Sequence, residues 1–130
     1  VKVLLVSADP AVRESMELVV RSAERALGEP FEFIDARNGK EGIALAWRHR
    51  PAVVVADEIA SPAGAFALAK DLKDADPPFA GSVVILLDRS QDAWLARWSG
   101  ADAWFVKPVN PFELAETVAR FLGVSREEAV

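Results

Sequence analysis

The chain has 130 residues, 52% of them hydrophobic and 27% charged, a size and balance that suit one globular domain around one core. It carries 15 Lys and Arg against 20 Asp and Glu, a net charge of −5 that disfavours a phosphate backbone, and no apolar run reaches the roughly 18 residues of a membrane span. Cysteine is absent, which excludes disulfides and thiolate metal sites and suits a reducing cytoplasm, the expected location.

Five apolar runs mark the strands in chain order: Val1–Val6, Phe31–Ala36, Ala52–Ala56, Val83–Leu87 and Ala103–Val106. Three are nearly continuous in Val, Ile and Leu, the composition of strands covered on both faces. After the first run, Val12, Met16, Val19, Ala23 and Leu27 recur at steps of three or four, predicting one helix with Asp9 as N-cap, Pro10 in the first turn and Gly28 past its end. Trp47 falls on the second predicted helix as core or partial core. That helix ends in the one tight basic cluster, Arg48-His49-Arg50, whose cations suit the negative end of a helix dipole. Trp94 and Trp98 share one side of the fourth predicted helix, each expected by itself to pack onto the sheet. Gly100 and Gly123 stand where the last two helices are expected to stop. One domain over residues 1–123 is expected, with a polar tail over 124–130 that frays.

Strand–helix alternation with short connections predicts a mostly parallel sheet covered on both faces. Ligands of such sheets gather outside the carboxyl ends of the strands. That rim receives Ser7, Ala8 and Asp9 after the first strand, Asp57 after the third, Asp88 after the fourth and Lys107 after the fifth. The turn after the first strand, Ser7-Ala8-Asp9-Pro10, lacks the glycines of a dinucleotide site.

Two segments then carry a resemblance: Val53-Val54-Val55-Ala56-Asp57, and Gly100-Ala101-Asp102-Ala103-Trp104-Phe105-Val106-Lys107-Pro108. With Leu4-Leu5-Val6-Ser7-Ala8-Asp9-Pro10 and Arg37-Asn38-Gly39-Lys40-Glu41-Gly42, they resemble the receiver domains of bacterial response regulators over nearly the whole chain. The resemblance implies a flavodoxin-like (βα)5 doubly wound parallel sheet with strand order 2-1-3-4-5. It also implies two-component, phosphorelay signalling rather than enzyme turnover. Asp57 matches the phosphoacceptor, Lys107 the lysine that pairs with the phosphate, and Pro108 a proline often preceded by a cis bond. Trp104 matches an aromatic switch residue, and Trp98 and Trp94 lie near the family's partner-binding surface.

The departures are equally specific. Ser7 and Ala8 replace the acidic pair that holds the metal, leaving Asp57 and Asp9 as candidate ligands, with Asp9 also the helix cap. Mg²⁺ is therefore expected to bind weakly or not at all. Asp88 stands where the family has Thr or Ser, and an ionised carboxylate cannot donate to a phosphoryl group. The segment from Ile59 to Gly64 moves the usual proline one place later and lacks the usual acidic residue. The expected function is a pseudo-receiver acting through protein contacts, with a histidine kinase, an output protein or a second copy as partner, and neither nucleic acid nor membrane. A working phosphoacceptor at Asp57 is the alternative, and a small hydrolase using Asp57 and Asp88 a minor one.

Overall fold

A computed structural model describes residues 1–58 and 64–129, the side chains through residue 123. The segment in which the expected loop departure lies, residues 59–63, is outside the described residues. In chain order the elements are β1 (Lys2–Val6), α1 (Pro10–Arg21), α2 (Glu24–Leu27), β2 (Glu32–Ala36), α3 (Gly39–His49), β3 (Val53–Asp57), α4 (Ala65–Asp74), β4 (Ser82–Leu87), α5 (Ala93–Trp98), β5 (Ala103–Val106) and α6 (Pro111–Ala129). All four strand pairings are parallel and the order is β2-β1-β3-β4-β5, the doubly wound sheet expected.

Alternation along the central strands splits the core into two layers. Leu4, Val6, Val54, Ala56, Ile85 and Leu87 face α3, α4 and α5, where Ala46, Leu68, Leu72 and Ala96 meet them. Val3, Leu5, Val55, Val84 and Leu86 face α1 and α6, against Met16, Val20, Leu114 and Val118. Every residue of β3 is buried, so its Val-rich sequence is the composition of a strand covered on both sides.

Asp9 caps α1, its carboxylate accepting the Ala11 N–H at 2.9 Å. The single helix expected from Val12 to Leu27 is two helices. Ser22 turns the chain, its hydroxyl and its N–H both donating to the Val19 carbonyl. Glu24 then opens α2 and accepts the Phe31 N–H, while Gly28, at φ +66°, closes it. Gly123 does not end α6, which continues to Ala129: one glycine costs a helix only about 1 kcal/mol, and Arg126, Glu127, Glu128 and Ala129 tolerate it well. Residues 124–129 of the tail expected to fray are thus the last part of that helix.

Trp47 is half-buried and meets Phe79 edge-on. Arg50 closes α3 and lays its guanidinium over the Trp47 ring, so the basic cluster belongs to a helix end. Trp94 and Trp98 do not pack onto the sheet: they are 62% and 55% exposed, because Ala96 and Ser99 take the inward side of α5 and its C-cap. No described helix is long and apolar enough to cross a membrane.

Candidate functional site

Register assembles the site. Val6 lies beside Ala56 in the β1–β3 pair, so the next residues, Ser7 and Asp57, are neighbours at the rim. Leu87 lies beside Val106 in the β4–β5 pair, which brings Asp88 next to Lys107. Chain pieces 50 and 19 residues apart in sequence thereby meet at one point.

Lys107 sits at the centre. Its Nζ donates to Asp57 Oδ1 at 2.5 Å and to Asp88 Oδ1 at 2.9 Å. The other Asp57 oxygen, Oδ2, accepts the Ser7 hydroxyl at 3.0 Å. Ser7 is fully buried and Asp57 nearly so, whereas Asp88 is exposed and Lys107 is 28% exposed at its side chain. Burial alone would lower the lysine's pKa, but the bonds to Asp57 and Asp88 outweigh it and hold the ammonium above its ordinary range. The peptide bond joining Lys107 to Pro108 is cis.

Ser7 is also an anchor for its own loop: its hydroxyl accepts the Asp9 N–H and its carbonyl accepts Arg13 Nη1. The sequence shows that an acidic pair is missing but not what Ser7 does. The parallel neighbourhood of β1 and β3 is the signal that would have found it. A second cluster was also missed. Glu58 Oε2 accepts the Asp88 N–H, tying the end of β3 to the end of β4. Glu58 further hydrogen-bonds Asp92, which is buried and gripped by the Arg89 guanidinium at 3.2–3.3 Å. Burial, then the Asp92 contact, push the Glu58 carboxyl above the usual glutamate range, while the same contact and Arg89 lower Asp92. The pair thus favours the proton on Glu58 over Asp92.

The donors present do not fit a divalent cation. Mg²⁺ takes oxygen ligands in near-octahedral order, usually with one or two carboxylates. Here an ammonium stands between Asp57 and Asp88, the remaining Asp57 oxygen holds a hydroxyl, and Asp9 spends its carboxylate on α1. Among the described residues no group of three or more His, Cys, Asp or Glu could hold a metal ion. Nor does the rim contain a histidine for acid–base work; His49, the single histidine of the chain, is in the last turn of α3, which leads into the start of β3 and not to its carboxyl end.

Trp104 lies on β5 beside Ile85, half-buried, with the Arg97 guanidinium 5.8 Å from its ring centre. Trp98 turns instead toward α4, where the Lys70 ammonium lies 4.9 Å from its ring centre. Pro108 is exposed.

No family model matches the chain. It is 38% identical over 73 residues to an uncharacterized response regulatory protein of Mycobacterium tuberculosis, found in two strains. That match takes in 54% of this chain and 52% of the relative, so the chain spans about half the length of the curated relatives it matches. The fold is shared more widely. A putative response regulator of Chloroflexus aurantiacus superposes with TM-score 0.81 at 22% identity, covering 94% of this chain and 97% of that one. A chemotaxis response regulator of Vibrio cholerae gives 0.76 at 24%, covering 92% and 97%. The receiver domain of a Pseudomonas aeruginosa sensor histidine kinase, with a magnesium ion in its active-site cleft, gives 0.79 at 17%, covering 94% and 97%.

Proposed function

We infer that this chain, which has the receiver fold and matches curated response regulatory proteins, is a two-component receiver domain that works as a pseudo-receiver. It signals through protein contacts rather than by phosphoryl transfer, with a histidine kinase or an output protein as partner. Asp57 stands at the phosphoacceptor position, and Mg²⁺ binding is weak or absent.

The observation that carries this reading is the double engagement of Asp57. A carboxylate nucleophile needs a free oxygen and a cation that can neutralise the incoming group. Both Asp57 oxygens are occupied, one by Lys107 and one by Ser7, and Lys107 is itself divided between two carboxylates. Asp88 adds negative charge where an incoming phosphoryl group would need a donor.

Incubation with acetyl phosphate and Mg²⁺, read by intact mass, tests it. The chain is expected to stay unmodified. A stoichiometric phosphoryl adduct that disappears in Asp57→Asn overturns the pseudo-receiver reading in favour of a working phosphoacceptor.

A further inference from the structure

Helix α5 is built inside out for its composition. Its small residue Ala96 faces the core while Trp94 and Trp98, one turn apart on the same side, face solvent. Tryptophans this exposed forgo the large apolar burial that makes the residue useful, and the residue is enriched where a protein meets another. Trp98 forms one wall of an open groove whose other wall is α4, lined by Ala67, Lys70, Asp71, Asp74 and Ala75. The alanines make the α4 wall shallow and apolar. Its edge is acidic: Asp71, Asp74 and, just beyond, Asp76 are exposed. Lys70 is the one cation lining the groove, and it is already held by Asp74 at 2.9 Å and by the Trp98 ring.

An apolar groove between two helices with an acidic edge selects its occupant by charge. A second copy would set acidic edge against acidic edge, and a nucleic acid would be repelled in the same way. We propose that the α4–α5 groove, walled by Trp98 and flanked by the exposed Trp94, docks a basic amphipathic helix of a partner protein. Such a helix lays its apolar stripe against the indoles and alanines and points its cations at Asp71 and Asp74. The proposal rests on the reading of the chain as a module that signals through protein contacts, but it uses no group of the Asp57 rim.

The probe is a synthetic helix of about 14 residues, roughly 21 Å long, with leucines at i, i+3, i+4 and i+7 and lysines elsewhere. Its counterpart carries glutamates in place of the lysines. Four indole N–H resonances report on the whole chain. The lysine peptide is expected to shift those of Trp94 and Trp98 and leave Trp47 and Trp104 in place. Trp98→Ala should weaken binding at least about tenfold, equivalent to about 1.4 kcal/mol. Asp71→Lys with Asp74→Lys, both exposed and so expected to fold, should transfer the preference to the glutamate peptide. Absence of binding, equal binding of the two peptides, or indifference to Trp98→Ala overturns the proposal. So does self-association in sedimentation velocity that Trp98→Ala abolishes, which would assign the groove to a second copy. Acetyl phosphate treatment of the same samples keeps the two readings apart. An adduct on Asp57 with peptide binding intact removes the pseudo-receiver alone, and an unmodified Asp57 without peptide binding removes the groove alone.

Discussion

At the scale of single residues, the rim is a charge balance in which one ammonium serves two carboxylates. Lys107→Ala leaves a buried Asp57 with a hydroxyl as its remaining partner, facing Asp88. Removing one member of a buried pair costs about 3–5 kcal/mol, and solvent at Asp88 and Lys107 reduces this to about 2. Asp57→Asn in the same chain should recover much of that loss, which denaturant unfolding of both single variants and the double will show; strict additivity would mean the two side chains do not interact. Glu58 gives a pH signature. Its folded-state pKa is raised, so the stability it contributes is present at low pH and lost as pH rises from the ordinary glutamate range through the folded value. Glu58→Gln mimics the protonated form, able to accept from Asp88 and donate to Asp92 at every pH. The variant should be the more stable chain once Glu58 is ionised and should lose that part of the pH dependence in melting curves taken as pH rises above the ordinary glutamate range.

At the scale of elements, the approach of α3 to the sheet depends on one missing side chain. A Cβ at Gly42 would lie 2.7 Å from Leu68 Cδ1 and 3.0 Å from Val6 Cγ2, both in fully buried residues. Gly42→Ala should therefore destabilise by about 1–3 kcal/mol despite alanine's better helix propensity. Adding Leu68→Val should give back part of the loss, a non-additivity visible in urea unfolding. The elements were largely legible in the sequence because buried parallel strands announce themselves: Val53-Val54-Val55-Ala56 needs no context. What was not legible turned on single polar groups. Ser22 ends α1 through hydrogen bonds to a carbonyl that periodicity cannot sense. The outward tryptophans of α5 defeat a reading in which large apolar residues mark the buried face. Asp57, Asp88 and Lys107 converge as the topology rule predicted. The roles of Ser7 and Glu58 needed register and hydrogen-bond geometry.

At the scale of the whole molecule, the site exists only when β1, β3, β4 and β5 are all in register. A change of chemistry should therefore be possible without a change of fold. Ser7→Asp, Ala8→Asp and Asp88→Thr together free one Asp57 oxygen, add two carboxylates and restore a hydroxyl donor at the end of β4. The triple variant is expected to show a saturable tryptophan fluorescence change with millimolar Mg²⁺ and to accept phosphate from acetyl phosphate, and the unaltered chain is expected to show neither. If the folded variant does neither, the defect lies outside these three positions. The strand order also has a consequence for synthesis. β1 is made first yet lies between β2 and β3, so a growing chain cannot cover it on both edges until residue 57 has emerged. β5 comes last, and with it Lys107. Until then the nascent chain presents two carboxylates without their cation and leaves the edge of β4, Ser82–Leu87, open along an apolar strand that could pair with another chain. A free fragment ending before Ala103 would keep that strand edge unpaired.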